Sequence, residues 1–410
     1  MSLEESPVPT FEPLMGLASL MRRAFVGEDL TPVGAKLIAR AMADTGDAEA
    51  LMDLSTVLHL TGNPKLAVSV QAQALETRQV FHLPAATGKT GLTLLALMAP
   101  GDLTANTPRE ALVENSDIAV EMLFLIPGQP LPDTVPDHDV ALVAMSESDA
   151  NRELLKELES VAPFWPRPLL NRPERIAQLS RDGAARRLRG VPGVLMPITV
   201  RVNRDTLVKA GKGELKVADF LEDGDFPLIV RPVDSHAGHD LDRIDDAPAL
   251  AAYLGTLATD SFYVAPFIDY KSADGLYRKF RIVLMRGEPY AGHMAISSHW
   301  MIHYLNAGMA DSPEKRDEEA RFMANFDTDF AVRHREALAE IHGRLGLDYL
   351  GIDCGETADG KLLIFEVDHA MIVHGMDPVD LYPYKQPQMA KVFTAFRQML
   401  EDSRNTVLGR

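Results

Sequence analysis

The sequence predicts a multidomain chain of mixed α/β and α+β class. A helical region is expected over residues 1–118, a small α/β domain over 119–190, and a larger domain with mostly antiparallel sheets over 191–404. Three observations lead there. The chain has 410 residues, enough for two or three domains and a large core. Its apolar spacing is helical at first, then changes near Ala119 to short apolar runs that end in turn residues. From VPGVLMPITVRV onward the strands read as mostly antiparallel, with helices between them.

Bulk composition narrows the function classes. An apolar share of 46% and a charged share of 24% are those of an ordinary globular protein, so no fibrous or disordered class is implied. A net charge of −18 argues against general nucleic-acid binding, since a phosphate backbone would be repelled. An acidic protein can still hold a nucleotide through a few local cations and a divalent metal. No apolar run is long enough to span a bilayer, and no basic segment leads into an apolar stretch at the start, so a cytoplasmic protein without membrane contact is expected. The one cysteine, Cys354, excludes an internal disulfide framework and a cysteine zinc site, and suits a reducing compartment.

Within the first region, DAEALMDLSTVLHLTGNPKLAVSVQAQALETRQVFHLP has the most character. Leu51, Leu54 and Leu58 make one helical face, Gly62-Asn63 turns the chain, and Ala67 and Ala74 put small residues on the next helix. The pattern resembles a tetratricopeptide repeat, where small residues let two antiparallel helices approach closely. A plain helical hairpin is the alternative. A true repeat would imply protein or peptide contact, or dimerisation. Further on, PAATGKTGL ends like a Walker A loop at Gly88-Lys89-Thr90. The position of the first glycine holds Leu83, and helical flanks are expected, so the motif fails.

VEMLFLIPG and DHDVALVAMSES then read as strands, and SDANRELLKELESV as a helix capped by Ser148 or Asp149. An arginine-rich helix follows in NRPERIAQLSRDGAARRLRG. Later helices are expected at DDAPALAAYLGTL, at QPQMAKVFTAFRQMLE, and as one long helix over DEEARFMANFDTDFAVRHREALAEIHGRLG.

The chemistry concentrates in five places. In the hairpin YLGIDCGETADGKLLIFEVDHA, Asp353 interrupts the first strand, while Glu366 and Asp368 lie two apart and so share a face. Carboxylates among Ile352, Ile364, Phe365 and Val367 are costly to desolvate unless a cation offsets them, and Mg²⁺ typically takes one or two carboxylates plus substrate phosphates. In FPLIVRPVDSHAGHDL, Arg231 ends an apolar strand before a small-residue loop with Ser235, Ala237 and Gly238, whose backbone N–H groups could cradle phosphates. His236 and His239 read as solvated loop residues. In the strand Tyr263 to Phe267, Pro266 cannot donate a ladder bond, as suits an edge or a hinge, and exposed backbone there could meet an adenine edge. Arg278, Lys279 and Arg281 crowd the start of the next strand. Arg278 reads as a solvent-facing cation, and Arg281, between Phe280 and Ile282, as one with a buried anion partner. Finally SSHWMIHYLNAGM alternates aromatic and polar groups, as a core segment or a substrate wall would.

In order along the chain, FPLIVRP, SHAGHDL, YVAPFI, YRKFRIVLMRGEPYAGHMA, LNAG and GLDYLGIDCGE…LLIFEVD resemble the ATP-grasp superfamily, nearest its glutathione synthetase and ribosomal-protein glutamate ligase branch. The resemblance runs from about Asn171 to Leu400, with the strands from Ala119 standing for the α/β domain that precedes such a fold. It implies an ADP-forming ligase that joins a small-molecule or peptide carboxylate to an amine through an acyl phosphate. It also implies ATP and Mg²⁺ as cofactors, and a homodimer, since dimers are common in the family. By the same resemblance Asp353, Glu366 and Asp368 would hold two Mg²⁺, with Asn306 reaching the same ions or phosphates. Arg231 would contact the α- and β-phosphates, with Ser235 and Gly238 in the flap. Val264 to Phe267 would bind adenine through the backbone, Asp269 the ribose, and Arg281 the γ-phosphate and acyl phosphate. Arg187 or Arg186 would stand for the first nucleotide lysine, because Gly183 falls where that lysine belongs. Arg231 replaces the usual lysine, and Asp368 the usual asparagine. A phosphotransferase of the same fold, or a nucleotide-binding scaffold without turnover, are the rival functions.

Overall fold

The computed structural model describes residues 12–233, 235 and 238–408, with the backbone alone at Val407 and Leu408. His236 and Ala237, and the expectations attached to them, lie outside the described residues. The chain divides into two compact units. One gathers residues up to Met145 with Pro166–Leu169 and Leu400–Arg410, and the other holds Ser146–Trp165 and Leu170–Met399.

The first unit begins with the helices Leu17–Phe25, Thr31–Ala43, Ala48–Leu60 and Pro64–Thr77. Asp47 caps the third, its carboxylate accepting from Ala50 N at 2.9 Å. Pro64 opens the fourth, where its missing N–H costs nothing. Ala67 and Ala74 are both 0% exposed, and Ser55 Oγ donates to Ala67 O at 2.8 Å, so the small residues do let this helical hairpin close tightly.

Strands then appear where helix was expected. β1 (Val80–Leu83) and β2 (Leu92–Met98) are followed by β3 (Ile118–Phe124), β4 (Val140–Val143) and β5 (Leu169–Leu170), where the chain passes into the second unit. The sheet order is β1-β3-β2-β4-β5, with β2 parallel to both β3 and β4 and β1 antiparallel to β3. The correction has a physical reason. LTLLALM is apolar throughout because β2 is a central parallel strand, and such a run carries no period that tells strand from helix. PAATGKTGL therefore joins two strands. It leads into no helix N-terminus, which is what a Walker A loop requires.

The second unit opens with helix Arg152–Val161, whose N-cap is Asn151; Ser148 Oγ instead accepts from Asn151 N at 3.2 Å. The arginine-rich helix is two, Pro173–Ile176 and Arg181–Leu188, because Ser180 caps the second by accepting from Gly183 N. The strands are β6 (Val194–Leu195), β7 (Val200–Asn203), β8 (Leu228–Pro232), β9 (Asp242–Ile244), β10 (Ser261–Pro266), β11 (Tyr277–Met285), β12 (Glu288–Ser297), β13 (Tyr349–Glu356) and β14 (Leu362–Asp368). They form a four-stranded sheet β7-β10-β8-β9, antiparallel throughout, and a five-stranded sheet β12-β11-β13-β14-β6, antiparallel except for β14 against β6. Leu207, Leu228, Val230, Leu250, Phe262 and Val264 pack the core of the smaller sheet with helices Arg204–Gly211 and Ala247–Gly255.

On the larger sheet, Phe280 packs against Phe322 and Phe330, with ring centroids 5.0 and 5.1 Å away. That face is thus covered by helices Pro313–Asn325 and Phe330–Arg333. The single long helix expected here breaks into three, the last being Arg335–Leu345. Around Asp327-Thr328-Asp329 local bonds compete with the helix, including Thr328 Oγ1 to Asn325 O at 3.2 Å. Far along the sequence, Asn171 clamps the start of β13: its amide nitrogen donates to Tyr349 O and its amide oxygen accepts from Tyr349 N, both at 2.9 Å.

Candidate functional site

Strand register assembles the site. On β11, Lys279 and Arg281 alternate with Phe280, so they point away from the covering helices. Arg281 lies opposite Asp353 on β13, Asp353 lies opposite Glu366 on β14, and Gly351 lies opposite Asp368. The three carboxylates and Arg281 therefore converge on one face of three adjacent strands.

Asp353 is 2% exposed and fully engaged. Arg281 grips it with Nε to Oδ1 at 2.8 Å and Nη2 to Oδ2 at 2.9 Å, and Lys279 Nζ lies 2.7 Å from Oδ2. Burial alone would raise this carboxyl, but Arg281 and Lys279 hold it well below the usual carboxylate range. Arg281 also donates through Nη1 to Ile372 O at 2.8 Å. Three of the guanidinium's five N–H groups are thus fixed within the protein, and its plane is locked.

Glu366 pairs with Arg181, which also donates to Phe365 O at 3.3 Å. Burial pushes the Glu366 carboxyl up, but Arg181 and Arg231 outweigh it and hold the group ionised. Arg231, buried at the end of β8, donates through Nε to Ser235 Oγ at 3.0 Å and through Nη2 to Ser235 O. Burial, then the like charge of Arg181, bring its pKa down to about 10. Asp368 accepts from Ala370 N at 2.9 Å, and burial together with the Glu366 charge pushes it up to about 7.

Like charges crowd one another in two places. Arg181 and Arg231 repel each other while both attract Glu366, and Glu366 and Asp368 repel each other. A metal-bound polyphosphate would set an anion beside the arginines and a cation beside the carboxylates. Glu366 and Asp368 fit Mg²⁺ as two hard oxygen donors facing substrate phosphates. Asp353 does not fit that role: both its oxygens are bound by Arg281 and Lys279. Among the described residues no group of three acidic, histidine or cysteine side chains is arranged to hold an ion. The acid expected as a third ligand instead orients Arg281.

Other expected residues fall as follows. Arg187 is exposed and donates to Arg344 O rather than to the carboxylates, and Arg186 is exposed and pairs with Asp182. On an α-helix, residues six apart point roughly 120° from each other, so Arg187 leaves the side of the helix on which Arg181 meets Glu366. Gly183 could not have carried a lysine, since a Cβ there would lie 2.7 Å from both Gln178 O and Ser180 Oγ. Arg181 was missed because its role depends on where Ser180 starts the helix. Val264 is corrected. Its backbone pairs with both Val200 and Val230 and its side chain is in the core. β10 is an inner strand, and only its end, Ala265 and Pro266, extends past β7 with one flank unpaired. Phe267 follows, its ring edge-on to Trp300 at 5.7 Å and under Arg243 at 4.3 Å. Asp269 is exposed and accepts from Lys271 N in a local turn. Gly238 has φ +74° and faces Met301. His239 is exposed beside Asp240, as a loop histidine should be.

Asn306 is exposed at the end of the turn Tyr304–Asn306, its side-chain oxygen accepting from His303 N at 3.0 Å. That loop reaches the site through Ile302 O, which accepts from Lys279 Nζ at 3.3 Å. Arg278 pairs with Asp274 and Glu318 and takes no part.

No protein-family model matches the chain, and no curated protein matches it. Among solved structures it is similar to a D-alanine–D-alanine ligase from Bacillus anthracis complexed with ATP, at 15% identity and TM-score 0.44, over 77% of this chain and 98% of that one. It is similar to a RimK domain ATP-grasp protein from Sphaerobacter thermophilus at 16% identity and TM-score 0.41, over 74% and 98%. It is similar to the D-alanine–D-alanine ligase from Coxiella burnetii at 12% identity and TM-score 0.47, over 77% and 96%.

Proposed function

We propose that this chain is an ATP-dependent ligase of the ATP-grasp type that joins a carboxylate to an amine through an acyl phosphate, forming ADP. The crowding of like charges carries the reading: buried Arg231 and half-buried Arg181 both face half-buried Glu366, and Glu366 in turn lies beside half-buried Asp368. The order of motifs along the sequence supports it. Arg231 and Arg181 hold phosphate oxygens, and the unpaired end of β10 with Phe267 takes the adenine. Mg²⁺ between Glu366 and Asp368 would supply charge neutralisation at the phosphates.

The chemistry is then one of charge and position. A carboxylate oxygen of the substrate attacks the γ-phosphorus, and the bond to the bridging oxygen breaks as ADP leaves. Arg281, held rigid by Asp353, presents its two remaining N–H groups to the transferring phosphoryl group, and Lys279 adds a fixed positive charge. An amine nitrogen next attacks the acyl carbon, phosphate departs, and the amine's proton ends on that phosphate. The carboxylate and amine are small molecules or peptides, and the helical hairpin Ala48–Thr77 is the part suited to contact with a peptide or protein.

The test is ADP release with Mg·ATP and pools of amino acids and short peptides, followed by hydroxylamine trapping. Hydroxamate formation supports the ligase. ADP release without hydroxamate would transfer the assignment to phosphorylation of a hydroxyl. Absence of both ADP release and nucleotide uptake would overturn the reading.

A further inference from the structure

Behind the loop that reaches Lys279 lies a buried ionic cluster that the proposed chemistry does not use. Lys385 is 3% exposed although it begins helix Lys385–Leu408, an end where a cation is disfavoured by the helix dipole. Its ammonium sits over the rings of Tyr304 and Tyr382, 4.0 and 4.5 Å from their centroids, and bonds to the Tyr304 hydroxyl and to Asp377 at 3.1 Å. Glu319, 0% exposed, accepts from Tyr304 OH at 3.0 Å, from Tyr384 OH at 2.7 Å and from Met294 N at 3.0 Å. The Tyr304 ring also packs on His293, at 4.7 Å, and His293 lies opposite Arg281 in the strand register.

Tyr304 is thus the anchor of a short strap. Two residues before it, Ile302 O holds Lys279, and two residues after it comes Asn306. With Lys385 and Glu319 both gripping its hydroxyl, Tyr304 fixes where Ile302 O can lie, and so where the Lys279 ammonium points. We infer that Tyr304, set by the buried Lys385–Glu319 pair, is a positioning residue that aims Lys279 at the nucleotide phosphates. The inference rests on the nucleotide reading above.

Coupling separates this from a general structural role. Mg·ATP is titrated calorimetrically into the full-length wild type, Tyr304→Phe, Lys279→Met and the double variant, each checked for folding by its melting transition. Tyr304→Phe, which keeps the ring, should weaken Mg·ATP about tenfold, the scale of a charge-assisted hydrogen bond. In the Lys279→Met background the same substitution should change affinity by less than about twofold, because the group it aims has gone. Losses that multiply, or wild-type affinity in Tyr304→Phe, overturn the inference while leaving the nucleotide reading intact. Absence of Mg·ATP uptake by the wild type overturns both. If Tyr304→Phe does not fold, Leu305→Gly repeats the cycle: Leu305 is 77% exposed, and glycine frees the strap without removing a buried contact. Its expected loss is about threefold, again abolished in Lys279→Met.

Discussion

Glu366 meets Arg181 on one side and the like charge of Asp368 on the other, so under the proposed ligase chemistry its charge is the one turnover depends on most. Glu366→Gln should abolish ADP release while the melting transition persists, and retained turnover would return the carboxylates to a structural role. Asp353 should behave differently. Asp353→Asn leaves Lys279 and Arg281 without their shared counter-charge and should destabilise the second unit by roughly 3–5 kcal/mol, read from denaturant midpoints. A third carboxyl gives a pH signature. In the first unit Asp53 accepts from Met15 N at 2.8 Å and Gly16 N at 3.0 Å, and burial, aided by Glu110, pushes it up to about 7. Unfolded, it titrates near 3.8. Between those values the folded state keeps a proton that the unfolded state has lost, so stability falls as pH rises from 4 to 7. The loss should be roughly 2–4 kcal/mol and should vanish in Asp53→Asn when unfolding is followed from pH 4.5 to 7.5. That Glu366 and Asp368 share a face was legible in the sequence because strand alternation puts residues two apart on the same side. Arg181 was not, since a helix displays a residue according to its starting point, and Ser180 sets that here.

Among the elements, the hairpin β13–β14 was readable from its flanks: apolar runs, a polar turn with Gly360, and acids in step. Its register with β11, which brings Arg281 to Asp353, was not, because cross-strand partners depend on turns and bulges elsewhere, including the irregularities at Arg281/Ile282 and Asp353/Cys354. β2 was misjudged for the opposite reason, having too uniform an apolar face to show a period. The clamp of Asn171 on Tyr349 joins positions 178 residues apart and could not be inferred from either neighbourhood. Asn171→Ala should remove two buried backbone partners at the start of β13 and lower stability by about 2–3 kcal/mol, with a matching loss of amide protection at Tyr349 in hydrogen exchange.

For the molecule as a whole, nucleotide binding must appear as stability. Mg·ATP at about a hundred times its dissociation constant should add about 2.7 kcal/mol and raise the melting temperature, and chelation of the metal should remove most of that gain. No helix among the described residues is long and apolar enough to cross a membrane. The second unit carries the proposed site on its two sheets, and its hairpin also carries the sole thiol of the sequence. Cys354 is fully buried next to Asp353, and burial drives its ionisation well above the usual thiol range. A maleimide or disulfide reagent can therefore react only in the moments when that β-ribbon opens. The chain comes with its own single-site clock: the alkylation rate, taken with and without Mg·ATP, times the breathing of the hairpin without an added label.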